Sequence, residues 1–318
     1  MPIPYMGSKR KSAGKIYQTI KNLNPNGKIL VDLFCGGFAI SEYFIKNGWS
    51  VIANDKNKYV IELLKKALSG YFNEKVFIPG FITREKFKNV LKNKNKYEDW
   101  FVGYVMCIWS FGNNQKTYLF SKEKELYKKA GQELVINKNP EPIRSLVPNI
   151  SEKYIDGILK QGNWHKRRRA LGIVVNKVLK NKKKSRIFQL ERLEQLERLQ
   201  RLEQMLQMER LQQLERLEQI KPIELYSKNY NEIEITKEAI IYCDPPYEGT
   251  EEYEEKQINY KKFWEWCRKK RKTNKIYISE YKAPSDFKKV LEFPQKSLLQ
   301  VGGQKHDNHP NECLFTID

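Results

Sequence analysis

Ile29-Leu30-Val31-Asp32-Leu33-Phe34-Cys35-Gly36-Gly37-Phe38 is an apolar run that ends in a pair of glycines. Ile29 to Phe34 reads as a buried strand, and the glycines read as the tight turn that follows it. Ala39 to Lys46 then has helical spacing and stops at Asn47-Gly48, a common helix end. Val51 to Asn54 is a second strand candidate, and Tyr59 to Ser69 is a second helix ending at Gly70. Strand, helix, strand order predicts a parallel sheet with right-handed crossovers, an α/β fold.

The last third of the chain returns to this pattern. Ile240 to Cys243 is wholly apolar or aromatic, as suits a strand covered on both faces. Lys261 to Lys272 has the spacing of a helix that buries Phe263, Trp266 and Cys267. Ile276 to Ser279, Leu298 to Val301 and Cys313 to Ile317 read as further strands.

The middle differs. Lys160 to Leu190 holds eleven Lys or Arg and no Asp or Glu. From Leu190 to Ile220 an apolar residue falls on every third position, with Glu, Arg and Gln as filler. These residue types favour helix. A period of three lags the helical 3.6, so the apolar stripe spirals round the rod and does not form a heptad seam. A spacer grown by triplet duplication and a reader of the target both suit it.

The chain has 318 residues and a net charge of +21, with 59 basic against 38 acidic side chains. Such an excess favours a polyanionic partner, nucleic acid before an acidic membrane surface. No apolar run approaches the ~20 residues of a membrane span, and Met1-Pro2-Ile3-Pro4-Tyr5 has no signal-peptide core. The five cysteines are scattered without a Cys-x-x-Cys pair, which points to reduced thiols in a cytoplasm and to no zinc site. His306 and His309 lack a third ligand, so no metal is expected.

Three constellations carry chemistry. No basic residue follows Gly36-Gly37, so a phosphate-binding P-loop is excluded. Asp55 follows the second strand, where a carboxylate accepts ribose hydroxyls in open α/β sheets, although an acid here also suits a helix N-cap. The glycine pattern is not that of a dinucleotide site. Asp244-Pro245-Pro246-Tyr247 follows the strand Ile240 to Cys243. Its prolines stop strand pairing and stiffen the turn. A carboxylate and an aromatic ring fixed this way suit a flat base bearing an amino group.

In this order the segments resemble the DNA adenine methyltransferases of the Dam type, over most of the chain apart from the triplet repeat. Tyr5-Met6-Gly7-Ser8-Lys9 resembles the N-terminal motif that packs on S-adenosylmethionine, with Ser8 in place of its second glycine. Asp32 to Gly37 resembles the Phe-x-Gly-x-Gly motif, with Phe38 where the last glycine is usual. Asp244 to Tyr247 matches the Asp-Pro-Pro-Tyr signature in full, and Ile278-Ser279-Glu280-Tyr281 is similar to a later strand-end motif. The resemblance implies a Rossmann-like methyltransferase with a mixed, mostly parallel sheet and an inserted, mainly helical target-recognition region. Residues 1–115 and 221–318 would form the catalytic domain, 116–189 the recognition region, and 190–220 the repeat.

The implied cofactor is S-adenosylmethionine, held by Tyr5, Gly7, Lys9, Asp32, Phe34, Gly36, Gly37, Asp55 and Asp244. The implied catalytic residues are Asp244, Pro245, Pro246 and Tyr247. The Asp244 carboxylate and the Pro245 carbonyl would accept the amino N–H bonds of an adenine flipped out of double-stranded DNA, and Tyr247 would stack on the base. Asn113, Asn114, Gln115 and Lys116, beside the similar segment Trp109 to Asn114, are candidates for base edges. Lys166, Arg167, Arg168 and Arg169, with Lys180 to Lys184, are candidates for phosphates. The loop Gly302 to His309 could also touch DNA. Asp before Pro-Pro-Tyr argues against transfer to the cytosine amino group, where Ser is usual, and the charge argues against a protein substrate. RNA and a non-catalytic DNA-binding protein of the same fold stay open at this point. Enzymes of this kind often serve restriction–modification.

Overall fold

The computed structural model describes residues 3–72, 80–148, 150–182, 223–247, 258–293 and 311–317. The triplet repeat, the strand expected at Leu298 to Val301 and the loop Gly302 to His309 lie outside the described residues. The chain divides into two compact units. One comprises Met1–Tyr71, Asp99–Gly103 and Arg210–Asp318; the other comprises Phe72–Glu98 and Tyr104–Glu209. The second unit thus takes in residues 72–98 and 104–115, which the sequence division placed with the first.

The first unit is built on a seven-stranded sheet in the order β3-β2-β1-β4-β5-β7-β6. Its strands are β1 (Ile29–Asp32), β2 (Ser50–Asn54), β3 (Ile223–Tyr226), β4 (Ile240–Cys243), β5 (Lys275–Glu280), β6 (Lys288–Phe293) and β7 (Glu312–Thr316). Pairings from β3 through β5 are parallel, and β7 runs antiparallel to both neighbours. The expected mixed, mostly parallel sheet is present. β3 and β6 escaped the sequence reading because β3 is only four residues long and Lys288, Lys289 and Glu292 interrupt β6. Every residue of β4 is buried, as its composition requires.

Helix α1 (Ala13–Leu23) was not read from the sequence, whereas α2 (Ala39–Lys46) and α3 (Lys58–Leu68) follow the pattern expected there. The side chain of Asn57 accepts the Tyr59 N–H at the start of α3, so the cap is Asn57 and Asp55 is left outside the helix. In the second unit α4 (Arg84–Lys92) precedes α5 (Asp99–Ile108), in which the boundary between units falls. There follow α6 (Lys122–Gln132), α7 (Glu141–Leu146), α8 (Glu152–Leu159) and α9 (Trp164–Lys182). The helix near the end, α10 (Tyr260–Lys270), begins one residue before the predicted start. It buries Phe263, Trp264 and Cys267. Trp266, expected inside, is only partly buried because Trp264 shares the inner face with Phe263 and packs on Phe287 at 4.9 Å between ring centres.

The turn after β1 shows how local strain is carried. Phe38 has φ of 70°, the left-handed conformation that glycine adopts without penalty. Its side chain is fully buried. Burial of a phenyl ring outweighs the cost of the conformation, roughly 3–5 against 1–2 kcal/mol. Phe38→Gly is therefore expected to lower stability by about 2 kcal/mol in urea unfolding despite its easier backbone. An unchanged midpoint would mean that the ring contributes nothing net.

Candidate active site

The strand order reverses between β1 and β4, and ligands bind at the carboxyl edge of such a switch point. The chain places its acids there. Asp32 ends β1, Asp55 follows β2, Asp244 follows β4, and Glu280 ends β5. Because β7 is antiparallel, its first residue, Glu312, arrives at the same edge.

Lys9 joins this set from the N-terminal segment. Its Nζ lies 3.0 Å from Asp244 Oδ1 and 3.2 Å from Glu312 Oε1. It donates to Tyr247 Oη at 2.6 Å and sits 4.9 Å from the centre of that ring. Lys9 and Glu312 are buried. Burial alone would lower the lysine's pKa, but Asp244 and Glu312 outweigh it and hold the value above the ordinary one. Burial pushes Asp244 up to about 6 even with Lys9 beside it. Tyr247 is kept a neutral phenol by burial and then by Asp244 and Glu312. Its ring meets Tyr281 edge to face at 4.5 Å. The Tyr260 hydroxyl donates to the Pro246 carbonyl and lies 3.3 Å from Glu280 Oε2, so α10 and β5 both steady the proline turn.

The glycine turn is shaped by what lies behind it. A Cβ on Gly36 would stand 2.8 Å from Tyr5 Cε1, and one on Gly37 would stand 2.6 Å from the Ile3 carbonyl oxygen. Only glycine admits Tyr5 here, and Gly7, with φ of 73°, turns the chain between Tyr5 and Lys9. Asp55 accepts the Gly36 N–H at 2.9 Å and the Asn57 N–H at 2.8 Å, which locks the turn to the end of β2. Asp32 is buried, accepts the Ser41 hydroxyl at 2.7 Å, and is pushed up to about 7 by burial and by the charges of Asp244 and Asp55. Phe34 turns its ring towards Tyr230 and Phe263, at 5.7 and 6.1 Å.

Residues 5–288 match the family of D12 class N6 adenine-specific DNA methyltransferases. The chain belongs to this family. The methyltransferase therefore acts on the adenine amino group of DNA with S-adenosylmethionine as donor, which sets aside cytosine, RNA and a non-catalytic DNA-binding protein of this fold. No curated protein matches it. The donor carries a sulfonium and an ammonium, and the carboxylates of Asp32, Asp55 and Asp244 fit a cationic ligand; burial raises the values of Asp32 and Asp244, and neighbouring acids add to it. Among the described residues no cluster could hold a metal ion, and no helix is long and apolar enough to cross a membrane.

The structure thus brings together Lys9, Asp244 and Tyr247, and separately Tyr5, Gly36, Gly37 and Asp55. The sequence reading missed Glu312, Ser41 and Tyr260. Glu312 is a lone acid opening an apolar run, a weak signal.

In the second unit the DNA candidates divide. Asn113 and Gln115 have positive φ, 58° and 62°, and Lys116 is exposed. The Asn114 side chain is spent locally, accepting the N–H groups of Lys116 and Thr117 at 3.0 and 2.9 Å. Phe111, in the same loop, is 55% exposed. Lys166 and Arg169 are exposed, whereas Arg167 is buried and donates to the carbonyls of Val135 and Gln161. Arg167 is thereby corrected from a phosphate contact to a support of its own unit. Trp164, Arg167, Leu171 and Val175 share one buried face of α9, at helical spacing.

Asp32 yields a pH test. Its folded value lies above that of an unfolded carboxylate, so the protonated form favours folding. Its contribution is present below about pH 4 and is lost as pH rises through about 7. Asp32→Asn should shrink the stability difference between pH 5 and pH 8 by about 2 kcal/mol in chemical denaturation. The same difference in both proteins would place the Asp32 titration elsewhere.

Proposed function

We propose that the Asp244 carboxylate and the Pro245 carbonyl accept the two N–H bonds of the target adenine's amino group, with Tyr247 against the base. The observation that carries this reading is the half-buried, Lys9-linked Asp244 on a proline turn steadied by Tyr260. The amino nitrogen is a weak nucleophile because its lone pair is delocalised into the ring. Two acceptors held in place favour a pyramidal nitrogen and free that lone pair. S-adenosylmethionine, when bound, supplies an electrophilic methyl group. Tyr5, Gly7, Lys9, Asp32, Phe34, Gly36, Gly37 and Asp55 form or support its site, with Asp55 nearest the role of ribose acceptor.

The substrate is double-stranded DNA, so the base must leave the stack before it reaches Asp244. The second unit serves as the target-recognition region. Phe111 offers an exposed ring for stacking, worth on the order of 1–3 kcal/mol. Asn113, Gln115 and Lys116 address base edges, and Lys166, Arg168 and Arg169 address phosphates. Five free, buried cysteines suit work in a reducing cytoplasm.

Incubation with methyl-labelled S-adenosylmethionine and unmethylated duplex, followed by digestion to nucleosides, should place label on deoxyadenosine. Asp244→Ala should lower that rate by at least about 100-fold; label that persists would remove Asp244 from the reaction. Neutralising Lys166 and Arg169 should flatten the log–log salt dependence of DNA affinity by roughly one unit per lost contact. Arg167→Met should instead lower the melting temperature. A slope unaltered by the Lys166 and Arg169 changes would take this face of α9 out of the interface.

A further inference from the structure

We infer that Glu312 is a positioning residue for methyl transfer: it retains the Lys9 ammonium, so that Asp244 passes from its lysine to the adenine amino group without stranding a buried cation. This rests on the reading that Asp244 receives that amino group. The geometry is specific. Lys9 Nζ stands between the two acids, 3.0 Å from Asp244 and 3.2 Å from Glu312, with the Tyr247 hydroxyl at 2.6 Å. The lysine and glutamate side chains are 7% and 3% exposed, so neither charge is served by bulk water.

A buried ammonium that loses its only carboxylate is strongly penalised. With one acid present, Lys9 would hold Asp244 and compete with the incoming N–H donors for its oxygens. With two, the ammonium stays balanced by Glu312 while Asp244 turns its acceptor sites to the base. A carboxylate has about four lone-pair sites, so Asp244 need not release Lys9 altogether. Tyr247 Oη, fixed by the same ammonium, moves with the arrangement. Glu312 itself reaches the site because β7 runs against the other strands, and its backbone is held in register opposite Phe293. It touches neither substrate nor donor in this scheme and acts through Lys9.

The test is a double-mutant cycle on the full chain. Glu312→Gln keeps the shape and removes the charge. Single-turnover methylation of a duplex should slow by about tenfold or more, while affinity for S-adenosylmethionine, from equilibrium dialysis, stays within about twofold. In a Lys9→Met background, Glu312→Gln should cost nothing further, because the charge it removes then has no ammonium to balance. The double variant should methylate at least as fast as Lys9→Met and melt higher. This comparison holds even where Glu312→Gln alone fails to fold. Equal losses in both backgrounds, or a double variant slower than Lys9→Met, would overturn the inference. Asp244→Asn with an undiminished rate would overturn the reading of Asp244 and this inference with it, whereas an uncoupled Glu312 overturns this inference alone.

Discussion

The ammonium of Lys9, held between Asp244 and Glu312 at the carboxyl edge of the sheet, is the interaction on which the site depends. Carboxylates that end or follow strands β1, β2 and β4 and open β7 are gathered in one small volume, and several are buried. Left to themselves they would take up protons, and two of them already sit well above the ordinary carboxylate range. One cation from the N-terminal segment makes this density of acid tolerable. It also fixes the phenol of Tyr247, so a single side chain ties the N-terminal segment to the proline turn and to β7.

Much of this was legible in the sequence, for a definable reason. The β1–turn–α2 unit and the Asp-Pro-Pro-Tyr turn are local: the residues that set their shape are neighbours in the chain. Buried strands such as β4 announce themselves by unbroken apolar runs. What escaped is non-local. Glu312 reaches the site only because β7 is reversed relative to β5, a fact of pairing that no short window contains. The edge strand β3 is too short, and the outer strand β6 too charged, to stand out from loops.

Arg167 teaches a different lesson. Five consecutive basic or imidazole residues, His165 to Arg169, look alike as a composition, but a helix distributes them round its axis. The side chain in step with Trp164, Leu171 and Val175 goes inward and satisfies two backbone carbonyls. Periodicity, read across the whole of α9 and not only within the charged run, separates the internal arginine from its exposed neighbours.

The buried amide of Asn54 bears on how this protein tolerates change. It donates to the Leu33 and Lys228 carbonyls at 3.0 and 3.1 Å and accepts the Lys228 N–H at 3.0 Å. This clasp, with the pairing of β2 and β3, fastens the returning chain directly to the carboxyl edge of the sheet. Closure entropy grows only slowly with the number of intervening residues, about 0.6 kcal/mol per doubling. Evolution is therefore at liberty to add or delete triplets upstream of Ile223, and so to vary what lies between, while the edge that gathers the acids keeps its dimensions.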